Sequence, residues 1–283
     1  MFPLFRSLER DSGSAATLPQ VWQAFKANGI RFHPGEVSMW VGPPGAGKST
    51  AALNYILKAK RPTLYVSMDM GPMLVSRRVI AIETDQTLDK VREDMETDEG
   101  PARYSGVLQA VDHLYVTYPT RPDADSIAKS VMAFQEIHGL PPEILVIDNL
   151  MNLSSNAKDE WTGLRELAQV FHYIAVELSI TVLLLHHINM GGLDLSYPAP
   201  ENAIKGQISE LPATILSFAK REALLLCTAV KNRHGKADHT GRNFFQLAYD
   251  EPKQIITDYI PPPPEPPKPK WVIQPSHDWG IKD

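Results

Sequence analysis

A second cysteine is missing from this 283-residue chain: Cys227 stands alone. That excludes a disulfide framework within the chain and any thiolate zinc site. Its setting, Leu224-Leu225-Leu226-Cys227-Thr228-Ala229-Val230, reads as a buried strand, and a reducing compartment suits it. Long apolar runs are missing too. No stretch approaches the ~18 residues of a membrane span, and the N-terminus Met1-Phe2-Pro3-Leu4-Phe5-Arg6 lacks the core of a signal peptide. The expectation is a soluble cytoplasmic protein with no membrane partner. Excess basic charge is absent as well: 28 Lys and Arg against 33 Asp and Glu leave a formal charge of −5. A nucleic-acid partner would have to be held by local loops or by the interior of a ring. No internal repeat is present. The 43% hydrophobic content suits one large α/β domain with short appendages.

What is present centres on one stretch. Gly42-Pro43-Pro44-Gly45-Ala46-Gly47-Lys48-Ser49, followed by Thr50, fits the phosphate-loop pattern G-x-x-x-x-G-K-[ST]. Glu36 to Val41 before it reads as a short strand, and Ala51 to Lys58 after it as an unbroken helix. Glycines let the backbone turn its N–H groups around phosphates, and the helix N-terminus adds partial positive charge. In this pattern Lys48 reaches the β- and γ-phosphates and the Ser49 hydroxyl ligates Mg²⁺. The chain is expected to bind a nucleoside triphosphate, ATP, with magnesium.

The rest reads outward from that loop. Residues 1–17 form an arm or linker, with Phe2, Leu4 and Phe5 available to dock on a neighbour. A helix is expected over Leu18 to Ile30. Strands are expected at Thr63 to Ser67, Leu114 to Val116, Glu143 to Asp148 and Thr181 to Leu185, with helices at Gly71 to Glu83, Thr87 to Glu96, Asp123 to His138 and Lys158 to Leu178. Met190 to Glu201 is a glycine- and proline-rich loop. Three hairpin-like strands follow, at Ile215 to Ala219, Ala223 to Val230 and Phe244 to Tyr249. This alternation predicts a mainly parallel α/β sheet flanked by helices, with an antiparallel hairpin extension, over residues 18–260. Residues 261–283 begin with a proline run that packs as neither helix nor sheet. Trp271 and Trp279 lie beyond it, suited to docking on a partner or to a free tail.

Several side chains fall where chemistry is expected. Asp148 ends a buried strand, where ligands bind in open α/β sheets, and suits Mg²⁺. Asp69 ends the strand after the phosphate-loop helix, placed to polarise a water. His186 and His187 follow another apolar strand and point to opposite faces, so at most one faces the nucleotide. Lys231 and Arg233 share a side of an extended turn. They are either a solvated tip or cations for a transferring phosphoryl group.

In this order the motifs resemble the RecA-type ATPase core of the DnaB family of replicative helicases, over about residues 18 to 250. The matching stretches are the phosphate loop, Tyr65-Val66-Ser67-Met68-Asp69-Met70, the strand ending in Asp148, the strand ending in His186-His187, and Lys231-Asn232-Arg233-His234-Gly235. The resemblance implies a RecA-like fold and an oligomeric, hexameric ring that hydrolyses ATP while translocating on single-stranded DNA. It implies that Asp69 activates water, that His187 senses the γ-phosphate, and that Lys231 and Arg233 reach a neighbour's nucleotide. It also implies DNA-contacting loops at Met151 to Glu160 and Met190 to Gln207, which here carry Asn152, Ser154, Ser155, Lys158, Gly191, Gly192 and Lys205. Asp69 stands where that family has glutamate, and His187 where it has glutamine. The family's helical N-terminal domain has no counterpart before residue 18. Two other readings remain open: a RecA- or RadA-like recombination ATPase forming filaments, and a P-loop kinase or regulatory ATPase without nucleic acid. A replication or repair partner would use the C-terminal tail.

Overall fold

Every residue of β1 (Val37–Val41), β2 (Thr63–Ser67), β4 (Ile144–Asp148) and β5 (Thr181–His186) is buried. Strands covered on both faces have no other option, which is why these segments are apolar almost throughout. In the computed structural model, which describes residues 17–262, they join β3 (Leu114–Thr117), β6 (Thr214–Arg221), β7 (Leu224–Asn232), β8 (Phe245–Asp250) and β9 (Ile255–Asp258). The sheet order is β3-β2-β4-β5-β1-β6-β7-β8-β9. From β3 to β6 the neighbours pair in parallel, and from β6 to β9 they alternate in antiparallel hairpins. The mainly parallel sheet with an antiparallel extension is therefore as the sequence predicts. β6 is more than a hairpin strand, however: it also pairs in parallel with β1. The N-terminal arm, with Phe2, Leu4 and Phe5, and the tail tryptophans Trp271 and Trp279 lie outside the described residues.

Strand alternation sorts the core into two layers. Trp40, Tyr65, Val146 and Leu185 face one side, with α1 (Gln23–Ala27) and α2 (Lys48–Ala59). Met39, Val66, Ile147 and Leu184 face the other, with α6 (Ala124–His138) and α7 (Glu160–Leu178). Helix ends follow local chemistry. Asp123 caps α6 through the Ser126 N–H and Asp159 caps α7 through the Thr162 N–H, each at 2.9 Å. Gly139 closes α6 in a left-handed conformation. Between β2 and β3 stand α3 (Pro72–Thr84), α4 (Leu88–Met95) and α5 (Gly100–Ala110).

Three expectations change. The helix expected over Leu18 to Ile30 is confined to Gln23–Ala27, because the Leu18 N–H donates to the Phe32 carbonyl (3.0 Å) and the segment's ends pair with each other. α5 was not anticipated from its glycine- and proline-containing sequence, although Pro is well suited to a first helical turn. β9 was not anticipated either. It zips onto α2 through Asn54, whose amide donates to the Thr50 and Gln254 carbonyls and whose oxygen accepts the Ile256 N–H. Asp258 then accepts from the backbone N–H groups of Gln23 and Ala24, so β9 also caps α1.

Candidate nucleotide site

Register brings the chemistry to one edge of the sheet. Val41 pairs with His186 and Ser67 with Asp148, so the parallel strands end nearly flush. The phosphate loop, Asp69, Asp148 and His187 all leave the sheet there. They line a cavity of about 360 Å³ together with Arg78, Asn149, Tyr249, Glu251 and Gln254.

The loop's shape depends on its glycines. Gly45 and Gly47 have φ of +77° and +84°, the left-handed region in which side chains are strained. Gly42 sits so close to β6 that a Cβ would come within 2.6 Å of the Phe218 carbonyl oxygen. The Lys48 ammonium donates to the carbonyls of Gly42 and Pro43, both at 2.9 Å. Burial lowers its pKa to about 8, against the pull of Asp148 and Asp69 in the other direction. A buried cation so placed is matched to an anion, and phosphate oxygens supply one. Thr50 donates to the Gln254 side chain at 2.9 Å, tying the loop's last residue to the turn before β9.

Asp148 is 2% exposed. Burial raises its pKa and the Asp69 charge adds to this, while hydrogen bonds from Tyr65 and Ser49 and the charge of Lys48 oppose it. The Tyr65 hydroxyl donates to its Oδ2 at 2.5 Å. A hydroxyl and a desolvated carboxylate fit a magnesium ion that takes its other ligands from phosphates and water. The described residues contain no cluster of three or more His, Cys, Asp or Glu side chains able to hold a metal. Ser49 and Asp148 would hold the ion jointly with the nucleotide.

Asp69 is exposed at the strand end, and the amides of Asn149 and Asn152 both donate to it. The Asn149 Nδ2 also lies 3.3 Å from His187 Nε2. Burial lowers the His187 pKa and the Lys48 charge lowers it further, which leaves a neutral imidazole at neutral pH. His186 takes the opposite direction, as alternation predicts. It is fully buried, with Nε2 2.8 Å from the Lys205 carbonyl, and burial lowers its pKa to about 4.

The remaining candidates lie elsewhere. Lys231 and Arg233 do not line this cavity. The Arg233 N–H pairs with the Ala213 carbonyl and the Ala213 N–H with that of Val37, at the start of β1 and so at the edge opposite the phosphate loop. Lys231 Nζ donates to the Ser209 and Glu210 carbonyls, whereas the Arg233 side chain is exposed. Lys158 is exposed at the approach to α7, and Gly191 and Gly192 form an exposed turn. Lys205 is paired with Glu160 at 2.8 Å, so the two candidate DNA loops touch through this ion pair. Arg78, Asn149, Tyr65, Tyr249, Glu251 and Gln254 were not singled out from the sequence. Asn149 had a signal, its place directly after Asp148. Glu251 and Gln254 had none until β9 was known.

With the geometry in place, comparison with known proteins gives a consistent placement. The AAA domain family matches residues 28–192. The Gene 65 protein of Mycobacterium phage L5 is 31% identical over 262 residues, covering 87% of this chain and 95% of that protein. The replicative DNA helicase DnaB of Leifsonia xyli is 22% identical over 170 residues, 58% of this chain but 37% of that one. Among solved structures, a DnaB-like replicative helicase studied with primase superposes with a TM-score of 0.75 at 14% identity, over 91% of this chain and 65% of its own. An ATPase domain superposes with the same TM-score at 13% identity, covering 91% and 96%. The RadB recombinase reaches a TM-score of 0.53 at 16% identity, over 81% and 93%. The chain thus spans about two thirds of the full DnaB-like helicase structure and about a third of the matched DnaB. It belongs to the AAA domain family, and its RecA-like fold is that of the ATPase domain of DnaB-like replicative helicases.

Proposed function

We propose that this chain is a magnesium-dependent ATPase motor of the DnaB helicase type, working as an oligomeric ring, hexameric by analogy, that translocates on single-stranded DNA and unwinds nucleic acid. The observation that carries the reading is the single cavity lined by Lys48, Ser49, Asp148, Asp69 and His187. Phosphoryl transfer to water asks little covalent chemistry of a protein; it asks for positioning and for charge where charge develops. Lys48 and the loop N–H groups bind the phosphates. Ser49 and Asp148 would hold magnesium alongside the nucleotide, and the ion would supply positive charge against the phosphates. Asp69 orients and polarises the attacking water, and neutral His187, tied to Asp69 through Asn149, reports the γ-phosphate position to the strand behind it. Arg233, exposed at the far edge with Lys231 beneath it, completes the site of the next subunit. The loops at Met151 to Glu160 and Met190 to Gln207, with Lys158, Gly191, Gly192 and Lys205, follow the strand. The higher TM-score to helicase ATPase domains than to the RadB recombinase favours this over the filament-forming alternative.

ATP turnover measured with and without magnesium and oligo-dT tests the reading. Turnover should require magnesium, rise with oligo-dT, and fall ~100-fold or more in Lys48→Ala, in line with the weight such charge-stabilising groups carry in phosphoryl transfer. Turnover indifferent to oligo-dT would move the chain to the regulatory ATPase class.

A further inference from the structure

The turn that carries Arg233 is fastened on every side except the one its guanidinium faces. The Arg233 N–H donates to the Ala213 carbonyl at 2.9 Å. Asn232, at the end of β7, donates its amide to the Gly29 carbonyl at 3.2 Å and accepts the His234 N–H at 3.0 Å. His234 is held more firmly still. Its Nε2 lies 2.8 Å from Glu36 Oε2, and a carboxylate only accepts, so that nitrogen carries the proton. The His234 ring also stacks on His33, with centroids 3.9 Å apart and planes inclined by 35°.

This clamp is better protected than an ordinary surface pair. The His234 and Glu36 side chains are 28% and 23% exposed, and screening by water is correspondingly reduced. Burial lowers the His33 pKa, and the His234 charge and that of Arg31 lower it further against the pull of Glu36. His33 is therefore neutral at neutral pH and lies against His234 without like-charge repulsion. The grip has a rigid base. Glu36 immediately precedes β1, its carbonyl accepts the Val182 N–H at 3.0 Å, and the Gly35 N–H donates to the Ile180 carbonyl at 2.9 Å. β1 leads at its other end into the phosphate loop. Arg233 itself is exposed and has no hydrogen bond or ion pair to its side chain among the described residues. Left on a loose turn, such a side chain would have to be ordered each time it met a phosphate, and preorganisation removes that cost.

We infer that His234, gripped by Glu36 and His33, is a positioning residue that aims Arg233 at the nucleotide of the neighbouring subunit. This rests on the proposed role of Arg233 in trans and adds what holds it in place. His234 touches no phosphate; it fixes the backbone from which Arg233 reaches out.

Steady-state ATP turnover by the assembled full chain with magnesium tests it in His234→Ala, Arg233→Ala and the double variant. In His234→Ala kcat should fall ~10-fold or more, the scale on which a slightly misplaced group costs rate, with KM for ATP nearly unchanged. Arg233→Ala should be slower, and the double variant should match it, because His234 acts only through Arg233. Glu36→Ala removes the acceptor instead of the ring and should resemble His234→Ala, which keeps the test open if either variant assembles poorly. Mixing His234→Ala with Lys48→Ala subunits should recover part of the turnover, since an intact phosphate loop then meets a well-held arginine. Damage confined to the variant's own nucleotide site would not be repaired in this way. Rates near wild type in His234→Ala and Glu36→Ala, a double variant slower than Arg233→Ala, or mixed assemblies without recovery would overturn the inference and leave the shared site standing. If Arg233→Ala turns over ATP like wild type, the trans role fails and the inference with it.

Discussion

At the scale of single residues, the site is built from side chains that have surrendered hydration. Lys48, Asp148 and His186 are all nearly or wholly buried, and in each case burial is the largest influence on its proton affinity. His186 turns this into a pH signature. Its folded pKa is lowered to about 4 from an ordinary value near 6.5, so on acidification the unfolded chain takes up a proton that the folded chain refuses. Linkage then requires stability to fall as pH drops from about 6.5 toward 4, by about 3 kcal/mol in all at 1.36 kcal/mol per pKa unit. Thermal melts across that range should show a steep loss for wild type and a shallower one for His186→Gln, which can still donate to the Lys205 carbonyl. Equal slopes would mean that other groups carry the acid sensitivity. Sequence could say that His186 and His187 face opposite ways, since strand alternation is geometric. It could not say which was buried, because that depends on the loop carrying Lys205 closing over the end of β5.

At the scale of elements, the legible parts were those whose pattern is local. Apolar runs as long as a strand, such as Ile144 to Asp148, can satisfy their burial only inside a sheet. A phosphate loop must lie between a strand and a helix. What escaped was structure made by distant pairing. β9 is four residues long, pairs with β8 across a turn with no glycine, and is tied to α2 by Asn54 some 200 residues earlier. Asn54 is 0% exposed with its amide hydrogens and oxygen satisfied. Asn54→Ala leaves the Ile256 N–H and the Gln254 carbonyl without these partners, a cost of about 2–4 kcal/mol when buried polar groups lose their bonds. Urea unfolding should report that loss. It should also report weakened nucleotide binding, because Gln254, held by the same network, is hydrogen-bonded to Thr50 at the end of the phosphate loop. A stability change under ~0.5 kcal/mol, the size expected of a neutral surface site, would show that β9 is held by other means. The candidate site was legible in the same proportion. Lys48, Ser49, Asp69, Asp148 and His187 could be placed from the phosphate-loop pattern and the strand ends alone, whereas Asn149 and Asn152 acquire meaning only once the fold brings both amides to Asp69.

At the scale of the whole molecule, the described residues form one sheet with a nucleotide cavity at its carboxyl edge and Arg233 at the other. That separation is what a site shared between adjacent subunits demands, since a cation of the same chain across the sheet cannot reach its own phosphates. Mixing Lys48→Ala with Arg233→Ala subunits should therefore restore part of the turnover that each variant lacks alone, because some interfaces pair an intact loop with an intact arginine. Mixed assemblies, verified by mass measurement, that show no recovery would assign Arg233 to the solvated turn. We propose that ATP turnover drives this domain along one strand of a nucleic acid, and fork unwinding addresses this most directly. Forked duplexes with 5′ or 3′ tails, in DNA and in RNA, should be separated with one tail polarity in the presence of magnesium and ATP, and not by Lys48→Ala. ATP turnover without strand separation on any of these forks would contradict the account.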